Sequence, residues 1–138
     1  MRIGVTCYPT YGGSGVVATE LGKAMARRQH EIHFISYSLP FRLQHYDERI
    51  FFHEVETVQY PLLEHSPYAI ALAAKMSEVG GQVGLDLFHV HYAIPHAVSA
   101  FLARAILGAR GPRIITTLHG TDITLVGNDR SQFPLTRF

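Results

Sequence analysis

Cysteine is almost missing from this chain: Cys7 stands alone among 138 residues. No disulfide can form within it, which excludes a small secreted scaffold stapled by bridges and makes the cytosol the expected compartment. Charge of one sign is equally scarce. Twelve Lys and Arg face eleven Asp and Glu, for a formal net charge of +1, and the basic residues form no run. The strong attraction that drives nucleic-acid or anionic-membrane binding is therefore absent, and a small ligand is the expected partner. Long apolar runs are lacking too, because charges interrupt each one well before the roughly 18 residues of a membrane span. The opening MRIGVTCY has neither the basic start nor the long apolar core and small-residue cleavage site of a signal peptide. Internal repeats and low-complexity tracts are also missing.

What is present is a hydrophobic fraction of 47%, enough for one α/β-sized core and too little for two ordinary domains. Strand and helix patterns alternate. Arg2 to Cys7 forms a short apolar strand, and Val17, Leu21, Ala24, Met25 and Arg28 then recur at helical spacing. His30 to Ser36 and Ile50 to Val58 are β-rich runs joined by a loop around Pro40. A second helix follows Pro67, with Ala69, Leu72, Ala73, Met76 and Val79 on one face and a stop at Gly80-Gly81. After the strand Leu85 to Tyr92, Pro95 starts a third helix. It carries Val98, Phe101, Leu102, Ala105 and Ile106 on one face and ends near Gly108. Arg113 to Leu118 is a fifth strand. The alternation implies an α/β fold with a parallel sheet covered on both faces. Past His119-Gly120-Thr121-Asp122 the chain runs through LVGNDRSQFPLTRF and stops where such a domain normally carries another helix and strand, so it is expected to be cut short.

In a parallel sheet of this kind ligands gather at the carboxyl ends of the strands. Three segments fall there: YPTYGGSG, HYAIPH and HGTD. Glycines in the first let the backbone turn tightly and let an anion approach free N–H groups at a helix start. Gly13-x-Gly15-x-x-Ala18 formally matches the dinucleotide fingerprint and keeps an NAD-dependent oxidoreductase in view. The second strand, however, ends in Ser36-Tyr37-Ser38, without the acidic residue that would hold a ribose. A P-loop is excluded, because Gly22-Lys23 lacks both the earlier glycine and a following Ser or Thr. His89 and His91 point to one side of their strand and, with His96 and His119, invite a metal site. No third ligand of fixed spacing accompanies them. One imidazole packed in the sheet and another reaching the strand ends is the simpler arrangement. Cys7 reads as a small buried apolar residue sooner than a nucleophile. Asp122 suits the cap of a turn, and Tyr11 and Tyr92 either meet a ligand or cover the sheet edge.

TCYPTYGGSGVVATELG, HEIHFIS, LPFRL, HVHYAIPHA and TTLHGTDITLVG together resemble the N-terminal half of the N-acetyl-α-D-glucosaminyl L-malate synthases of bacillithiol biosynthesis. These are retaining glycosyltransferases of the GT-B fold. The resemblance runs nearly end to end and is weakest between Gln44 and Pro67. It implies a UDP-sugar-dependent hexosyltransferase that moves N-acetylglucosamine from UDP-N-acetylglucosamine to the hydroxyl of L-malate with retention, the first step of bacillithiol biosynthesis. No metal and no cofactor take part. Two Rossmann-like domains would face a cleft, with residues 1–138 forming the acceptor-side one; the nucleotide-sugar domain would be absent and this piece inactive by itself. Gly13 and Gly15 would lie at the donor diphosphate, while Ser14, Tyr92, Thr117 and Thr121 would line the acceptor pocket. His119 would stand beside the transferred sugar as the catalytic residue, with Asp122 in support. A homo-oligomer is compatible with these partners. A second class stays open: a sugar-nucleotide or dicarboxylate binding module without catalysis.

Overall fold

The structure, a computed structural model, describes residues 1–57 and 67–137. Five strands form one sheet: β1 (Arg2–Thr6), β2 (Glu31–Ser36), β3 (Ile50–Glu54), β4 (Leu87–His91) and β5 (Arg113–Thr117). Every neighbouring pair is parallel and the spatial order is β3-β2-β1-β4-β5. This is a doubly wound, Rossmann-like α/β sheet in which β1, at the centre, marks the point where strand order reverses. The helices are α1 (Gly13–Arg27), α2 (Tyr68–Val83), α3 (Val98–Leu107) and the short α4 (Phe133–Arg137).

Alternation along the strands separates two cores. Ile3, Val5, Cys7, Ile32 and Phe34 pack with Ala18 and Ala26 of α1 on one face. Ile35, Phe88 and Val90 pack with Leu72, Met76 and Val79 of α2 and with Ala100 and Ala103 of α3 on the other. Phe34, Phe88, Ile32 and Leu72 are all fully buried, and each such side chain favours the folded state by about 1.5–3 kcal/mol relative to exposure.

Several elements depart from the sequence pattern. The buried face of α1 is Ser14, Gly15, Ala18, Thr19, Gly22 and Ala26, while Val17 and Leu21 lie outward. In α3 the buried residues are Ser99, Ala100 and Ala103, with Phe101, Leu102 and Ile106 exposed. Helix α1 thus lays a stripe of small residues on the sheet, and α3 turns its own toward α2, where Ser99 Oγ donates to Ala69 O at 2.9 Å; in both the backbones approach closely. Finally, α2 does not stop at Gly80-Gly81 but continues to Val83, where Gly84 at φ +70° supplies the left-handed cap. Gly80 is there for space: a Cβ would lie 3.0 Å from Leu107 and 3.1 Å from Phe88. The strand expected over Ile50 to Val58 closes at Glu54, and Val58 lies outside the described residues.

Candidate active site

The sheet order sets the carboxyl ends of β1, β4 and β5 side by side, which draws the three ligand-facing segments together. Tyr8, just past β1, packs edge-on to Tyr92 past β4, with ring centroids 5.2 Å apart. Tyr92 in turn lies 4.9 Å from the ring of His119, past β5. Tyr92 holds φ at +84° and ψ at 141°, a region that L residues avoid at a cost of about 1–3 kcal/mol. Two backbone bonds fix it there: its N–H donates to Thr117 O at 3.0 Å and its carbonyl accepts from Ala97 N at 3.2 Å.

The glycines of the first segment divide their tasks. A Cβ on Gly15 would lie 2.6 Å from the carbonyl oxygen of Tyr8 and 2.7 Å from that of Thr10, so the loop folds back onto the helix over a residue that must be bare. Gly13 is different, since a Cβ there would meet nothing within 4 Å. Helix α1 begins at Gly13 with no side-chain cap on Gly12 and no acidic residue in its first turn. Its first N–H groups and the positive end of its dipole are left for an anion. Ser14 sits among them, buried.

Histidines line the sheet on the face opposite Phe88 and Val90. His89 Nε2 and Thr117 Oγ1 share a hydrogen bond at 2.8 Å, and His91 Nδ1 meets His119 Nε2 at 3.1 Å. The rings of His89, His91 and His119 stack with centroid spacings of 4.8 and 5.3 Å. Burial, reinforced by the neighbouring imidazoles, holds His91 down to about 4. His96, equally buried, donates from Nδ1 to the carbonyl of His91, and burial likewise holds it down to about 4. Among the described residues no group of three or more His, Cys, Asp or Glu is arranged to hold a metal ion; His89, His91 and His119 are stacked in a row, and only His91 and His119 of these share a hydrogen bond.

Asp122 is 1% exposed, and both carboxylate oxygens are taken. Oδ1 accepts from Ala93 N at 2.9 Å and Oδ2 from His119 N at 2.8 Å. It ties the segment after β4 to the segment after β5 and holds the backbone of His119, and the carboxylate does not face open space. Thr121 is exposed at the same edge and Thr117 half-buried. Cys7 is sealed in the core, its thiol pushed up to about 12 by burial, as a structural residue would be. Tyr8, His91 and His96 lie in the two segments YPTYGGSG and HYAIPH expected to face a ligand, but local pattern assigns Tyr8 no role there and raises the two histidines mainly as metal ligands; the alternation in HVHY marks the face, while the neighbours that define it arrive from other strands. A cavity of about 290 Å³ on the α3 side, lined by Ala97, Phe101, Ile114 and Leu135 among others, is apolar and holds none of this chemistry.

The profile of Glycosyltransferase Family 4 matches residues 11–138, which takes in all of the site but Tyr8. The chain belongs to glycosyltransferase family 4. It is 56% identical, over all 138 of its residues, to N-acetyl-alpha-D-glucosaminyl L-malate synthase of Bacillus anthracis, and covers 36% of that protein. This family 4 chain therefore spans about a third of the length of the curated relative it matches. A UGT transferase from Siraitia grosvenorii, solved in complex with UDP, shares the fold, with a TM-score of 0.53 at 14% identity over 86% of this chain and 24% of that one.

Proposed function

We propose that this family 4 chain forms the acceptor-side part of an enzyme that transfers N-acetylglucosamine from UDP-N-acetylglucosamine to the hydroxyl of L-malate, retaining the α configuration. The observation that carries this reading is the meeting, at one sheet edge, of an uncapped helix start, a set of hydroxyl-bearing side chains and His119. The relative of Bacillus anthracis, identical at 56% of positions, supports the choice of substrates. The α1 start at Gly13 would stabilise charge growing on the departing diphosphate. Ser14, Tyr92, Thr117 and Thr121 would hold the malate, with the hydroxyl of Thr117 oriented by His89. His119 would contact the sugar as it passes through an oxocarbenium-like state.

In this reaction the bond from the anomeric carbon to the diphosphate oxygen breaks while the malate oxygen bonds to that carbon on the same face. The malate hydroxyl proton goes to the departing phosphate oxygen. No protein nucleophile is called for, and the nearest groups fit that scheme: Asp122 has both oxygens engaged and the Cys7 thiol is buried. No described helix is long and apolar enough to cross a membrane, which accords with a cytosolic reaction between two dissolved substrates. Residues 1–138 would supply the N-terminal domain of a two-domain enzyme, with most of the nucleotide contacts coming from the other domain.

The test is to incubate the full-length protein with both substrates and examine the product by NMR. An α-linked N-acetylglucosaminyl malate is expected. A β-linked product, or binding of malate with no consumption of the UDP-sugar, would overturn the reading, the latter in favour of a binding module.

A further inference from the structure

His91 has no part in the reaction as written, yet it is among the most confined side chains near it. Its ring is fully buried between His89 and His119, and its carbonyl is occupied by His96 Nδ1. Its Nδ1 lies 3.1 Å from His119 Nε2. Its own Nε2 is buried without a hydrogen-bond partner among the described residues.

Two imidazole nitrogens at that distance share one proton, so one ring donates and the other accepts. If His119 donated from Nε2, His91 in its neutral form would carry its proton on Nε2, leaving a buried N–H with no acceptor. If His91 donates from Nδ1, its Nε2 keeps only a lone pair. A buried N–H without an acceptor is the rarer orphan, and leaving a donor unmatched forfeits its solvation. Protonating His91 on both nitrogens would not resolve the conflict, because burial and the surrounding imidazoles oppose a charge there.

We infer that His91 fixes the tautomer of His119: it donates from Nδ1 to His119 Nε2, so that His119 carries its proton on Nδ1 and presents an N–H donor to an oxygen of the bound sugar. His91 is thus a positioning residue acting through His119. That last step rests on the proposed function, whereas the tautomer itself does not. The backbone at His119 is itself held, its N–H donating to Asp122 Oδ2 at 2.8 Å, and the ring bond to His91 then sets which way the imidazole is turned.

The experiment is a long-range ¹H–¹⁵N correlation on the full-length protein labelled at histidine, which reads which nitrogen of each ring is protonated, together with steady-state kinetics on two variants. In the unmodified protein His119 is expected as the Nδ1–H tautomer with a bare Nε2, and His91 as Nδ1–H. His91→Asn, whose side-chain amide N–H can stand near the lost Nδ1–H, should keep that tautomer and hold kcat within about threefold. His91→Leu should release His119 into an Nε2–H population and lower kcat about tenfold or more, with the malate KM little changed. An Nε2–H His119 in the unmodified protein overturns the proposal whether or not the two variants fold. Equal kcat for His91→Asn and His91→Leu, both folded, overturns it as well. The Nδ1–H tautomer in a protein that transfers no sugar supports this hydrogen-bond assignment while sinking the proposed reaction, so the two failures are told apart.

Discussion

Gly13 and Gly15 lie two positions apart in one glycine-rich turn, and substitution by alanine should separate them cleanly. At Gly15 the new Cβ would sit 2.6 and 2.7 Å from two carbonyl oxygens of its own loop, so the backbone must move. Gly15→Ala should cost about 1–3 kcal/mol, the usual range for overpacking, in urea unfolding. At Gly13 there is open space, and alanine should leave stability unchanged or raise it by a few tenths to about 1 kcal/mol. Equal losses at both positions would refute this division. For His119, loss of a contact that tightens in the transition state should lower kcat by about 10²-fold in His119→Ala while the melting temperature barely moves. The opposite pattern would make this histidine a packing residue. The sequence displayed GGSG and HGTD openly, but not what each residue meets. Gly15 is bare because of two carbonyls in its own loop, and the carboxylate of Asp122 is spent on two backbone N–H groups, one of them on Ala93, 29 positions earlier. Such facts belong to the folded chain and leave no trace in local pattern.

At the scale of elements, periodicity located the strands and helices well and misjudged two helix faces. In α2 the large apolar residues and the buried face coincide, so Leu72, Met76 and Val79 were legible. Helices α1 and α3 each carry two stripes, one of small residues and one of larger apolar ones, and size alone favours the wrong stripe. The sheet takes the small stripe of α1 and α2 takes most of that of α3, because close backbone approach satisfies packing there. This yields a paired expectation on α3. Ala103→Leu, at a position with no exposure, should destabilise by about 1–3 kcal/mol, whereas Ile106→Ser, at a position 61% exposed, should stay within about 0.5 kcal/mol. Thermal or urea unfolding of the two variants checks it, and a reversed order would mean that α3 turns its other face to the core.

For the molecule as a whole, the buried histidines tie stability to pH. His91 and His96 are each held from an ordinary 6.5 down to about 4, so between those values the unfolded chain binds more protons than the folded one. Stability is then fully present above about pH 6.5 and is lost as pH falls toward 4, with a slope of about 1.4 kcal/mol per pH unit for each histidine. Urea unfolding at pH 7, 5.5 and 4.5 should show that decline, and replacing His96 by Phe in a variant that still folds should roughly halve its slope, leaving the share of His91. A curve level across this range would place both rings in contact with water. Strand alternation and the three strand-end segments were enough to anticipate a parallel sheet and the edge at which ligands gather; the pairing of β4 with both β1 and β5, which sets Tyr8, Tyr92 and His119 in contact, emerges only from the sheet order. That edge is the heart of the account, and amide shift mapping tests it most directly. On titrating the ¹⁵N-labelled protein with L-malate, the amides of Ser14, Tyr92, Thr117 and Thr121 should move, while those of Glu31, Asp86 and Arg113 at the opposite end of the sheet should not. Shifts confined to that opposite end, or to the apolar cavity beside α3, would contradict it.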